Sequence, residues 1–290
     1  MNRTQRIASE WLLHSDLEDD ELLLEALLRR GFLVYRDNEG VWFGTGSHPA
    51  DLAVVSFIDG LSVTPVVGHP DRMASIKVAA GTRPLKEVAM SIVGLPENHC
   101  DGPGSWTGVG VGPFVAHTWS HYRGMTWGAK MAVCPTTDIH RKSVDNALDL
   151  GVALLVKAFS LARVGTGYSC DGHGNGPAQV SFHFPWDAPW GKSVFDALGF
   201  QPLNSSWLWN SNGCSGVQVE PLVGFGDASI KGMLDDMQIF ARRLMDQRVI
   251  NKVGLARSKT LAALPYEPTV SQLAEEAGRR LRAELELPIE

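Results

Sequence analysis

The stretch Ala178-Gln179-Val180-Ser181-Phe182-His183-Phe184 decides the fold class. Apolar side chains at 178, 180, 182 and 184 alternate with polar ones at 179, 181 and 183. This is the period of a strand with one face buried. Upstream, residues 139–163 predict a long helix with Val144, Leu148, Leu155 and Phe159 on one face. Leu150, Leu154 and Leu161 widen that face, so the helix is largely buried. Thr137 or Asp138 can cap its start.

Farther out, residues 4–30 read as helical, with Leu13, Leu17, Leu24 and Leu28 at helical spacing. Asp16 and Glu18 to Glu21 suit the positive N-terminus of a second helix, and Gly31 is a natural stop. Residues 32–36 and 41–43 flank Asp37-Asn38-Glu39-Gly40 as a hairpin. Leu52 to Ile58 and Leu61 to Val67, parted by Asp59-Gly60, read as a second hairpin in the same sheet. Residues 94–130 are rich in Gly, Pro, Trp and His and read as a long structured loop region. After the central strand come a short helix over 191–198, a strand over 217–222, and two closing helices. The first closing helix covers 229–249, and the second opens on the capping-box pattern Thr269-x-x-Gln272. The expectation is an α+β protein with a mixed or antiparallel sheet, packed helices, a Gly/Trp-rich loop region and a helical C-terminal extension. Residues 1–225 would form the core and 226–290 the extension, unless the whole is a single domain.

Net charge −6 and a pI near 5.8 disfavour non-specific duplex DNA binding, which requires many neutralised phosphates. Apolar runs are too short for a membrane span. The basic start Met1 to Arg6 runs into Ser9-Glu10 rather than the apolar core of a signal peptide. Four cysteines in 290 residues do not suggest a disulfide scaffold, so reduced thiols in the cytosol are the expectation.

Reactive residues are concentrated in one region. All four cysteines, six of nine histidines and seven of nine tryptophans lie between His99 and Cys214, which points to chemistry there. Within that region Ser169-Cys170-Asp171-Gly172-His173-Gly174 sits between the long helix and the central strand. The two-residue gap between Cys170 and His173 lets both bind one metal ion. Asp171 can orient a histidine or act as a base, and His183 is a further candidate on the polar face of the strand.

Three chemistries fit. The first is a zinc site using Cys170 and His173, with further ligands from His117, His121, Cys134, His140, His183 or Cys214. His117-x-x-x-His121 has helical ligand spacing but lacks the glutamate of His-Glu-x-x-His. The second is Cys170 as a nucleophile with His173 or His183 as base. The third is ligand recognition by the loop's backbone N–H groups. A bland reading stands beside these: a tight turn with Cys170 buried and His173 at the surface. Gly191-Lys192-Ser193 lacks the earlier glycine of a phosphate loop, and Pro113 interrupts the 108–112 glycine run. Trp186/Trp190 and Trp207/Trp209 could stack a base or sugar, which suggests a nucleotide-like or nucleic-acid-derived substrate.

Gly167 to His173, followed by Pro177 and Val180-Ser181-Phe182, resembles small phage- and plasmid-borne proteins that carry Ser-Cys-x-Gly-His between a helix and a strand. That resemblance implies a mobile-element origin and assigns no activity. A fainter similarity is to the Ser-Cys-Ser-Gly motif of a tRNA wybutosine-synthesis family, from which this chain departs by His173 where arginine is expected after the glycine. Two functions remain open. One is an enzyme with catalytic Cys170, Asp171, His173 and His183 acting on a small-molecule ligand. The other is an inhibitor or adaptor whose Cys/His cluster is structural and whose charged helices bind a partner protein.

Overall fold

The computed structural model describes residues 1–44, 46–79, 83–95, 118–124, 148–211 and 215–285. Helices α1 (Arg3–His14) and α2 (Asp19–Arg30) open the chain. Gly31, left-handed at φ 94°, stops α2 as expected. Strands β1 (Val34–Asp37), β2 (Gly40–Gly44), β3 (Leu61–Pro65) and β4 (Arg72–Val78) form an antiparallel sheet in the order β1-β2-β4-β3, with helix α3 (Pro49–Ser56) before β3. Helices α4 (Leu85–Val93), α5 (Trp119–Gly124) and α6 (Leu150–Leu161) follow.

The second sheet comprises β5 (Thr166–Cys170), β6 (Ala178–Phe182), β7 (Ser205–Asn210) and β8 (Gly216–Pro221) in the order β5-β6-β8-β7, all antiparallel. Helix α7 (Asp187–Ala197) links β6 to β7. Helices α8 (Asp227–Leu244), α9 (Gln247–Ala263) and α10 (Val270–Leu285) close the described chain. The α+β class, the antiparallel sheets and the helical extension therefore stand. No helix among the described residues is long and apolar enough to cross a membrane.

Several elements differ from expectation. Leu52 to Ile58 is not a strand: Pro49 starts α3, and the ring of His48 caps it by accepting the Ala50 N–H at 3.1 Å. The partner of β3 is β4, reached through the turn after Pro65. The helix expected over 229–249 breaks after Leu244, where Asp246 accepts the Arg248 N–H at 2.8 Å and caps α9. The expected helix over 139–163 is described only from Leu150, since 139–147 lie outside the described residues. Most of the expected loop region over 94–130 does too. The Thr269–Gln272 capping box is formed, with reciprocal bonds of 2.9 and 3.2 Å. Helix α10 is packed on α7 and α9, with Leu273, Ala277 and Leu281 buried.

Helix α6 is apolar on nearly every face and is buried at Leu150 and from Val152 to Ser160. It touches α2 and α1 on one side and α8, β5 and β6 on another. Lys157, its only charged residue, forms a fully buried ion pair with Asp51 of α3. Burial pushes the lysine pKa down, and the Asp51 carboxylate opposes that shift. A pair of this kind contributes little net stability when intact, but leaves a costly lone charge when halved. Lys157→Met alone is expected to cost about 3–5 kcal/mol, and Lys157→Met with Asp51→Leu to recover more than half of that. Urea unfolding of the three chains at one pH measures both steps.

Candidate metal centre at the end of strand β5

The Ser-Cys-Asp-Gly-His-Gly motif does not join helix to strand directly. Ser169 and Cys170 end β5, and the rest forms the connection to β6, a single 3-10 turn over Gly172–Gly174. Three consecutive residues there are left-handed: Gly172 at φ 73°, His173 at 51° and Gly174 at 75°. Glycine is required at 172, because a Cβ would stand 2.7 Å from the Pro177 carbonyl oxygen. His173 has no such licence, and this conformation costs a non-glycine residue about 1–2 kcal/mol. Asp171 helps hold the turn by accepting the His173 N–H at 2.7 Å.

The turn sets its side chains against the start of α6. Asp149, the N-cap position of α6, accepts the Asp171 N–H at 3.2 Å. The absence of a side chain at Gly151 allows this approach, since a Cβ there would lie 3.2 Å from the Asp171 Cβ and 2.5 Å from Leu234. Asp149, Cys170, Asp171 and His173 thereby bring one donor atom each to within 4.8 Å of one another, a possible metal-binding group. Cys170 Sγ lies 3.6 Å from His173 Nε2 and accepts the Gly172 N–H at 3.3 Å. Asp171 Oδ1 lies 3.3 Å from His173 Nδ1.

Burial is uneven across the group. Both carboxylates are buried, Asp171 at 0% exposure and Asp149 at 3%. Cys170 is half-buried and the His173 side chain is 25% exposed. Asp171 Oδ2 has no hydrogen-bond partner among the described residues. Burial, and then the neighbouring Asp171 charge, push the Asp149 pKa up to about 7.

Of the expected site residues, Cys170, Asp171 and His173 come together. His183 does not. Its N–H donates to the Gly165 carbonyl at 2.7 Å, at the opposite end of β5. Five residues of strand, roughly 16 Å, separate it from Cys170, and its exposed ring instead meets Phe184. His117, Cys134, His140 and Cys214 lie outside the described residues, and so does the side chain of His121, which falls in α5. Asp149 was not anticipated, because its place in the group follows from the fold and not from a local motif.

The tryptophans read as stacking platforms are packing residues. Trp190 is buried and donates to the Ala162 carbonyl at 2.9 Å, and Trp186 sits in a buried cluster with Trp119, Tyr122 and Phe184. Trp207 and Trp209 are half-buried against Phe195, with Trp207 also against Phe200 and Phe240. A cleft of about 970 Å³ lies between α7 and α10 with Trp209 in its lining, and none of Asp149, Cys170, Asp171 and His173 lines it. Comparison with protein-family models, with curated proteins and with solved structures found no match.

Because the folded Asp149 holds its proton to about pH 7, against about 3.9 for an unperturbed aspartate, its protonation favours the folded state. That contribution is complete below about pH 4 and is lost as pH rises through about 7. Asp149→Asn, neutral throughout, is expected to gain thermal stability relative to the metal-free parent between about pH 5 and pH 8. Melting curves in chelator at the two pH values would show parallel losses if Asp149 did not ionise there.

Proposed function

We propose that this chain is a metal-dependent enzyme whose centre holds a zinc-class ion between Cys170 Sγ, His173 Nε2 and the Asp149 carboxylate. The observation that carries this reading is the convergence of thiol, imidazole and two buried carboxylates, one with an unpartnered oxygen, within 4.8 Å. A tetrahedral ion about 2.3 Å from sulfur and about 2.0 Å from nitrogen spaces those donors about 3.5 Å apart. The 3.6 Å between Cys170 and His173 is compatible with that spacing. Soft sulfur and imidazole favour zinc and its transition-metal neighbours over magnesium or calcium. The Gly172 N–H to sulfur stabilises the thiolate that such an ion requires.

Asp171, at the Nδ1 side of His173, stands where an outer carboxylate orients a ligating imidazole. Three protein ligands leave a fourth position, as in catalytic zinc sites, and the partial exposure of His173 supports access from solvent. Such an ion supplies Lewis acidity and an activated water. The substrate would then be a small molecule with a polarisable carbonyl or phosphoryl group.

A second reading has its own support. His173 faces Cys170 through Nε2 and Asp171 through Nδ1, the order of a thiol, base and orienting acid.

Metal analysis of the purified chain and cobalt substitution separate the two. The metal reading expects a thiolate-to-cobalt charge-transfer band. It also expects Cys170→Ala and His173→Ala to lose more than about 100-fold in affinity, beyond the roughly 10–100-fold cost of an outer-residue change such as Asp171→Asn. Absence of bound metal, no cobalt band, and rapid alkylation of Cys170 would favour the thiol reading instead.

A further inference from the structure

The imidazole of His173 has two neighbours at Nδ1 that require opposite proton placements. Asp171 Oδ1, 3.3 Å away, can only accept, and so favours a proton on Nδ1. The Asn2 side-chain nitrogen, also 3.3 Å away, can only donate, and so requires the Nδ1 lone pair. The Asn2 amide cannot be turned to relieve this. Its oxygen caps α1 by accepting the Gln5 N–H at 2.8 Å, and its own backbone N–H donates to Gln5 Oε1 at 3.0 Å. Asp171 Oδ1 is meanwhile engaged by the His173 backbone N–H at 2.7 Å.

With Asn2 bound at Nδ1, the proton of the neutral ring sits on Nε2 and points at Cys170 Sγ, 3.6 Å away. A protonated Nε2 has no lone pair for a metal. We propose that Asn2 is a positioning residue that latches His173 in the tautomer unable to bind metal. Loading then requires the amide to release Nδ1 to Asp171. This rests on the zinc-class reading given above.

The latch is held in place from its own helix. Arg3, the next residue, donates through Nη1 to the Gly174 carbonyl at 2.6 Å and pairs with Asp227 of α8 at 2.6 Å. The first turn of α1 is therefore fastened to the left-handed loop, and release is a lengthening of the single Asn2–His173 bond, with the cap kept, rather than a departure of the helix.

Asn2→Ser and Asn2→Asp test the latch in the full chain, since both residues cap helices about as well as asparagine. Serine removes the amide N–H that reaches Nδ1 without adding charge, its hydroxyl being one bond shorter and held at the helix cap, and aspartate puts an acceptor in the amide's place. One hydrogen bond of ordinary net strength corresponds to about 2–10-fold in affinity. Zinc affinity, measured by competition with a chelator, is expected to rise by that factor in Asn2→Ser and further in Asn2→Asp. Nitrogen-15 NMR of the metal-free His173 ring is expected to show the Nε2–H tautomer in the parent and Nδ1–H in Asn2→Asp. A parent already in the Nδ1–H form, or an Asn2→Ser chain with unchanged affinity, overturns the latch while leaving the metal reading intact. Failure of all three chains to bind zinc overturns both. Binding by the variants alone supports both.

Discussion

A helix that is apolar all round has to be covered all round, and α6 places that demand on the rest of this structure. Its residues from Val152 to Ser160 are all buried, as is Leu150. Cover comes from α2 and α1 on one side and from α8, β5 and β6 on another. An amphipathic surface helix would have needed one such layer. The demand for two explains why a sheet built from residues 34–78 and another built from 166–221 belong to one connected core. The single charge within α6, Lys157, is accommodated only because Asp51 reaches it from α3.

The same helix explains where the reactive side chains meet. The start of α6 is closed over by the β5–β6 turn, with Gly151 leaving room for Asp171 and Asp149 receiving its N–H. Strain in the turn has a role in this arrangement. With His173 left-handed, its ring stands 3.6 Å from Cys170 Sγ, so that thiol and imidazole share a locus. A backbone outlier of this kind persists where surrounding contacts over-determine it. Here those contacts are the Asp171 bond to the His173 N–H and the Arg3 bond to the Gly174 carbonyl.

How far the sequence could be read follows from the range of each signal. The alternation over 178–184 and the Cys170/His173 spacing are local patterns, and both appear in the structure as a buried-face strand and a shared site. The apolar run Leu52 to Ile58 carried no period of its own, and such short runs do not separate strand from helix. The deciding signal lay just upstream, in His48-Pro49. Strand β5, Thr166-Gly167-Tyr168-Ser169-Cys170, offers neither alternation nor β-branched density, and its pairing with β6 is irregular between Thr166 and Ser169. Asp149 and Asn2 were invisible for a different reason. They join His173 from 24 and 171 positions away, through contacts that exist only once α6 and α1 have docked.

The two buried carboxylates carry an electrostatic cost that the local structure offsets only in part. The positive end of α6 stabilises a nearby anion by about 0.3–1 kcal/mol, or up to about 2 in a partly buried setting. Burying a carboxylate costs several kcal/mol per ion even after relaxation, and two are buried here. Helix polarity therefore covers only part of the cost. His173, a quarter exposed, adds a solvent-weakened attraction when charged. One remedy is a proton, and the raised pKa of Asp149 expresses it. On the proposed reading the other is a divalent cation, for which the thiol and imidazole would supply the remaining donors. On that reading, proton and metal are rival occupants of this buried pair of carboxylates. On the proposed reading, metal affinity weakens as pH falls below about 7, because each ion bound must displace the proton that stabilises the empty site.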